Sequence, residues 1–483
     1  MHKFTIMNAS GCKLFSSPIY KPVYKMIPFS TEWHRINQPT TVVQTFANNY
    51  RYSFGFDCPS ADNEVFFALA PPYSYETLVK SLDLYESLTP PDTVFYREVL
   101  SKTIDNRDVE LITISSKKNF STEREERKFG TFQSNCPRCF RSTKPIVFIS
   151  SRVHPGETPA SYMLDSIFQI LLSKDPRALV LRNQFVFKII PMLNPDGVAR
   201  GHFRVDQNGM NLNRCYAYPS FLDQPSIFAV KEYVESVIFS NICFYLDLHS
   251  HASKKSCFVF GNSLDNARAQ EIEVFGKLLE LNSQYFDYQD SDFSEKSMKA
   301  KDPKDHHSKE GSGRVAFYKS IDLTHSYTIE SSYYIPKPLH MIPPMVNMKT
   351  GKRTPEFLYS EKYLVQVYNR PMFVDIAFAL LSAILDSFKL NPFSRLPATE
   401  YKNIENLKEV INNFRRLRKI KIRKNNSKVE LNRIIEKAPE SGKKTKLPVL
   451  IQGTSERTGD GNKPSAARYK SSFNYNLRPK TII

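Results

Sequence analysis

Apolar positions along the chain fall into two regimes. Up to about residue 140 they come as short runs of aromatic and β-branched residues: Thr41-Val42-Val43, Tyr52 to Phe56, Val65 to Leu69 and Val109 to Ile114. Pro, Asn and Asp separate these runs, which predicts a small antiparallel β-sandwich with one helix over Tyr75 to Leu88. Lys117 to Lys128 is charged without an apolar period and reads as an exposed loop. From Lys144 the pattern changes. Ile146 to Ser150 is a continuous run of the buried-strand type, and Thr158-Pro159 follows as a capping residue with a proline at the first helical position. Met163, Ile167, Ile170 and Leu171 then keep helical spacing. Further strands are predicted over Phe185 to Ile190, Phe244 to Leu246 and Tyr327 to Ile329, with a turn at Asn194-Pro195-Asp196-Gly197. Strands alternating with helices predict an α/β domain with a mixed, mainly parallel sheet and its chemistry at strand ends. The stretch Met372 to Leu385 carries Asp375 and Ser382 and is too short to span a bilayer, so it reads as a buried helix closing that domain by Leu390. The expected organisation is a sandwich over 1–140, an α/β domain over 141–390 and a tail over 391–483.

Charge sharpens the last boundary. The 483 residues carry a net charge of +18, and from Tyr401 onward 21 Lys and Arg stand against 7 Asp and Glu, an excess of 14. A nearly balanced body therefore bears a basic appendage, with disorder expected from about Ala438. Such an appendage suits an acidic partner or surface, and a solvated tail is its plain alternative. Seven cysteines, odd in number and thinly spread, argue for a reducing compartment, and Met1-His2-Lys3-Phe4-Thr5 lacks a secretory apolar core. Both point to the cytoplasm. Cys136-Pro137-Arg138-Cys139 is a CxxC without a partner pair and reads as a surface loop rather than a structural zinc or redox site.

Candidate chemistry sits where the apolar runs end. His154-Pro155-Gly156-Glu157 follows Ile146 to Ile149, and Asp247-Leu248-His249 follows Ile242 to Leu246. Two imidazoles and one carboxylate, with a fourth position left to water, form the ligand set of a hydrolytic zinc site. Glu330 closes a third strand. HxxE alone is weak, since such a histidine is more often a surface or core residue; the weight comes from these groups occurring together.

The same residues carry a family likeness. HPGE, Gly201-His202-Phe203-Arg204 leading to Asn211-Leu212-Asn213-Arg214, Asp247-Leu248-His249-Ser250-His251 and Ser326-Tyr327-Thr328-Ile329-Glu330 resemble the cytosolic carboxypeptidases. These are the tubulin-deglutamylating branch of the M14 zinc carboxypeptidases. Phe293-Ser294-Glu295-Lys296 and Lys309 to Ala316 resemble the type that removes the branch-point glutamate. The likeness covers roughly 1–390 and leaves the basic tail outside. It implies a zinc carboxypeptidase domain with one Zn²⁺ per chain held by His154, Glu157 and His249, with His251 nearby but not a ligand. It implies Glu330 as the carboxylate that moves protons, Arg204 at the scissile carbonyl, and Asn213 with Arg214 on the terminal carboxylate. Arg314 would select an acidic residue, with Lys309 and Lys319 sharing the role. The implied substrate is polyglutamylated tubulin or another acidic protein tail, not nucleic acid and not a membrane. Association with microtubules, cilia or spindles follows only from the resemblance. Phe4 to Asn8 resembles an interior strand of the family's amino-terminal domain, so earlier strands are expected to be missing. Two rival readings remain: a metal amidohydrolase acting on small N-acyl amino acids, and a non-catalytic microtubule binder using the basic tail.

Overall fold

The computed structural model describes residues 1–417, apart from 10–19, 47–48, 61, 133–136, 253, 255, 303–305, 334–337 and 355–370. Six strands come first: β1 (His2–Ala9), β2 (Val23–Ile27), β3 (Ser30–Arg35), β4 (Thr40–Gln44), β5 (Tyr50–Phe56) and β6 (Glu64–Ala68). They pair antiparallel into two sheets, β1-β5-β4 and β3-β2-β6. The two-residue period of β5 turns Tyr52, Phe54 and Phe56 inward. There Phe54 meets Phe67 at 5.3 Å and Phe56 meets Tyr24 at 4.8 Å between ring centres, edge-to-face across the two sheets.

The chemistry-bearing half is built on a larger sheet. Its strands are β7 (Thr93–Lys102), β8 (Asp108–Ser116), β11 (Ile146–Ser151), β12 (Val186–Ile190), β13 (Ile242–His251), β14 (Phe258–Phe260) and β15 (Ser326–Ser332); β9 (Phe120–Arg124) and β10 (Phe140–Ser142) form a separate ribbon. The order is β14-β15-β13-β11-β12-β8-β7. The inner strands β12, β11, β13 and β15 are parallel, and the outer pairings are antiparallel. Alternation along β11 sends Val147 and Ile149 into one apolar layer and Ile146 and Phe148 into the other. Helices α1 (Tyr75–Ser87), α2 (Thr158–Leu172) and α3 (Pro176–Gln184) cover the first face; α4 (Pro195–Ala199) and α5 (Pro225–Tyr233) follow. Next come α6 (Asn266–Asn282), α7 (Glu295–Lys299), α8 (Gly313–Ile321) and α9 (Pro371–Ser387), with α6 and α9 on the first face and α5 and α8 on the second. No helix among the described residues is long and apolar enough to cross a membrane.

Several expectations change. Val109 to Ile114 lies not in the sandwich but in β8, hydrogen-bonded to β12 in the large sheet. Leu78, Leu82 and Tyr85 of α1 likewise join the large core. Which sheet a short apolar strand joins is decided by distant partners, which its own pattern does not record. The boundary at 390 also moves. Phe393 and Ser394 pair with Met345–Asn347, and helical residues 404–417 bury Ile404, Leu407 and Ile411 in the main core. The expected disorder beyond Ala438 lies outside the described residues. Asn194 to Gly197 begins helix α4 rather than forming a free turn, and the cap of α2 is Glu157, one residue before Thr158. Within the CxxC, Cys136 is outside the described residues, while Arg138 and Cys139 are buried against Glu98 rather than exposed.

Candidate metal and active site

The HPGE turn leaves β11 and enters α2. Arg152, in the left-handed region at φ 56°, sends a buried guanidinium to Pro155 O at 2.7 Å, Ser161 Oγ at 2.8 Å and Tyr73 O at 3.1 Å, which ties the turn to α2 and to the segment that leads into α1. Gly156 is required by close approach: a Cβ there would stand 2.7 Å from the Phe203 carbonyl oxygen and 2.4 Å from its ring. The same carbonyl accepts from the Gly156 amide at 2.8 Å, so the turn is bolted to the segment that carries Arg204.

Three buried groups converge at this turn. His154 Nδ1 lies 2.7 Å from Glu157 Oε1, and His249 Nδ1 lies 2.9 Å from Glu157 Oε2, which also accepts from the Ser250 amide at 2.9 Å. All ligand atoms of His154, Glu157 and His249 fall within 4.8 Å of one another. On their far sides, His154 Nε2 faces Asn211 Oδ1 at 3.1 Å and His249 Nε2 faces Asp247 Oδ2 at 2.8 Å. With an acceptor behind each ring to hold the Nε2 proton, each Nδ1, once deprotonated, can donate its lone pair to a metal. This donor set fits a zinc ion. Burial lowers the pKa of His154. Burial also opposes charge on His249, but Asp247 and Glu157 outweigh it and raise its pKa well above the ordinary value. Glu157 is held well below the carboxylate range, because His154 and His249 more than offset its burial.

Glu330 is the register partner of His249 across the β13–β15 pairing, which places both side chains on one face of the sheet. Burial pushes its pKa up to about 7; Glu157 adds to the rise, while His249, Lys309 and Arg204 oppose it. Arg204 NH1 stands 3.9 Å from Glu157, and its NH2 donates to Asp302 Oδ2 at 3.0 Å. Asn213 Nδ2 lies 3.2 Å from His249 Nε2, and Arg214, nearly buried, also donates to Asp302 Oδ2, at 3.1 Å. Gly311 lets the next wall close in: a Cβ there would fall 2.1 Å from the Arg214 carbonyl oxygen. That contact brings Lys309 into the field of Arg214, Glu330 and Arg314, and burial with Arg214 lowers its pKa.

Arg314 is buried rather than solvent-facing. It is 3% exposed, with NH1 bound by Gly261 O and, at 2.7 Å, by Asn262 Oδ1, and burial lowers its pKa to about 10 despite Asp292, Asp247 and Glu330. Lys319 pairs with Glu310 at 2.6 Å on the surface and is not part of this group. His251 ends β13 with its ring 5.2 Å from Phe258, outside the ligand group. Sequence reasoning assigned no role to Asn211, Asp247 or Asp302. The Asp247-x-His249 spacing was a usable signal, since strand residues two apart share a face. Asp302 offered none.

A family model described as zinc carboxypeptidase, of the peptidase M14 type, matches residues 87–347. The chain belongs to the zinc carboxypeptidase family. Its large mixed sheet is the sheet of that fold. The chain is 32% identical over 511 residues to cytosolic carboxypeptidase-like protein 5 of Bos taurus, covering 84% of this chain and 57% of that protein. The Homo sapiens protein of that name is 31% identical over the same share of each. Cytosolic carboxypeptidase 6 of Mus musculus is 33% identical over 340 residues, 68% of this chain and 57% of that one. The chain therefore spans 57% of the length of these relatives. Among solved structures, a metallo-carboxypeptidase from Burkholderia cenocepacia superposes with a TM-score of 0.56 at 20% identity, over 80% of this chain and 85% of that one. A carboxypeptidase A homologue from Shewanella denitrificans gives 0.55 at 20% identity, over 80% and 86%. These two carry the fold; the zinc carboxypeptidase family supplies the frame in which the site is read.

Proposed function

We propose that this chain is a zinc-dependent metallocarboxypeptidase that removes glutamate from polyglutamylated proteins, tubulin tails foremost, including the branch-point glutamate. The observation that carries the substrate class is the set of cations near Lys309: Arg214 and Arg314 act on its charge, and Lys309, Arg314 and Arg204 interact with Glu330. A cluster of cations beside Glu330 favours an acidic residue and disfavours apolar or basic ones. The basic excess after Tyr401 suits the same acidic tails, and the relatives' names accord with a cytoplasmic location.

Zinc held by His154, Glu157 and His249 would supply Lewis acidity and lower the pKa of water at the site. Glu330, with a carboxyl pKa of about 7, would act as the base that takes a proton from the attacking water and passes it to the leaving amine. Arg204 is a third exposed and stands beside Glu157; its charge steadies the developing oxyanion. Asn213 and Arg214 hold the free carboxylate of the substrate, the geometry an exopeptidase needs and an endopeptidase does not. The complete set of ligands and base disfavours a non-catalytic binder.

The test is mass spectrometry of linear and branched glutamylated tail peptides after incubation with zinc-loaded protein and with Glu330→Gln. Glutamate loss that stops in the variant is expected. No loss from any peptide, with zinc present at one per chain, would overturn the substrate, and turnover of a small N-acyl amino acid instead would establish the amidohydrolase reading.

A further inference from the structure

Asp302 connects the two arginines of the site. One oxygen, Oδ2, accepts from Arg204 NH2 at 3.0 Å and from Arg214 NH2 at 3.1 Å. Arg214 NH1 is turned the other way, onto Asn213 O at 2.7 Å. Two guanidinium groups brought to one oxygen repel each other, and a carboxylate between them offsets that repulsion and fixes their planes. The Asp302 side chain is one-tenth exposed, so water screens the three charges little.

The backbone around Asp302 is held as well. Its amide donates to His307 O at 3.0 Å and its carbonyl accepts from the His306 amide at 2.9 Å. Lys301 and Ser308 form an antiparallel bridge, and the Lys309 amide donates to Ala300 O at 2.9 Å. Backbone hydrogen bonds of residues 300–302 with 306–309 therefore keep the aspartate on the arginine pair close to the lysine beside Glu330.

We infer that Asp302 is a positioning residue: it aligns Arg204 and Arg214 so that one steadies the scissile carbonyl while the other holds the substrate carboxylate. The inference rests on the carboxypeptidase reading above, but it concerns how a free α-carboxylate is gripped and not which side chain accompanies it. Asp302 acts through the arginines and touches no reacting atom.

The experiment is calorimetric binding of free glutamate, leucine and lysine to the full zinc-loaded chain, with zinc content and melting temperature read alongside. Asp302→Asn weakens whichever amino acid binds best by about tenfold or more, the scale of effect expected from a small misplacement of a clamp. Asp302→Glu, which keeps the charge, retains more affinity than the Asn variant. In an Arg214→Ala background the Asn substitution costs much less, a non-additivity that a merely structural role would not give. If the Asn variant does not hold zinc, the Glu variant carries the same cycle with Arg214→Ala. An Asn variant that binds as tightly as wild type, or additive losses in the cycle, overturns the positioning role. A tighter Asn variant does so too, and would make Asp302 a competitor for the substrate carboxylate. Loss of preference for glutamate over leucine and lysine strikes the substrate reading alone.

Discussion

Asp247 and His249 share one face of β13, and the Asp247 Oδ2 stands 2.8 Å from His249 Nε2. The other Asp247 oxygen accepts from Ser150 Oγ at 2.8 Å, so the carboxylate is fixed from the neighbouring strand and in turn fixes the imidazole. Asp247→Asn keeps the shape but removes the charge that orients the ring and makes Nδ1 a strong donor. Zinc affinity is expected to fall about 10- to 100-fold, the usual loss for such a supporting group. Chelator competition reads the affinity and circular dichroism checks the fold. An affinity equal to wild type would remove Asp247 from the metal centre.

Zinc binding should also depend on pH with a definite sign. Without metal, His249 lies between Asp247 and Glu157 and its pKa is raised well above the ordinary value. It therefore holds a proton at neutral pH that must leave before Nδ1 can donate to zinc. Affinity rises with pH across the neutral range, by up to about one decade per pH unit while His249 stays protonated. A flat profile between pH 6 and 8 would show that His249 is already neutral and that the two carboxylates do not control it.

How much of this was legible depends on whether a feature is local. His154 and Glu157 announce themselves because both lie in one turn, and Gly156 between them is needed for the Phe203 carbonyl to approach. Glu330 was visible as the polar end of an apolar run, but its place beside His249 is a matter of strand register. Asp302 was not legible at all, since it meets Arg204 and Arg214 from 98 and 88 residues away. The same rule governs the fold. The parallel centre follows from apolar runs alternating with helices, whereas β8 was assigned to the wrong sheet because hydrogen-bond partners are chosen over distance.

Glu330→Gln gives the clearest separation of chemistry from binding. Loss of a positioned acid–base group typically lowers turnover by about 10²- to 10⁴-fold, while zinc content should stay unchanged. In the wild-type protein, kcat/KM should fall as pH drops through about 7, where Glu330 takes up a proton and ceases to be a base. Steady-state kinetics on the glutamylated peptide from pH 5.5 to 8.5 checks both. An acid limb that survives unchanged in the residual activity of the Gln variant would assign it to another group.

A second buried acid should affect stability instead. Asp165 in α2 accepts from Tyr73 Oη at 2.9 Å, and burial pushes its pKa up to about 7. An unfolded aspartate titrates near 3.9, so between roughly pH 4 and 7 the folded chain holds a proton that the unfolded chain does not. Stability contributed by this group is therefore full below about pH 4 and is lost as pH rises through 7. Asp165→Asn should raise the melting temperature at pH 8 and bring little gain at pH 4.5. Equal shifts at both values would mean that packing, not proton uptake, sets the effect.

The helical residues 404–417 test where the folded unit stops. Ile404, Leu407 and Ile411 recur at helical spacing and enter the main apolar core, with Leu407 fully buried. A flexible tail beginning at 391 would make Leu407→Ala silent. A buried leucine cut back to alanine instead costs about 2–5 kcal/mol, from lost transfer energy plus the cavity left behind. Arg415 adds a tie to the body through Glu273 at 3.1 Å. Urea denaturation of the full chain should therefore show a lowered midpoint for Leu407→Ala with an unchanged slope. Were Leu407→Ala neutral, the helix would be a loosely held extension and the end of the folded unit would return to Leu390.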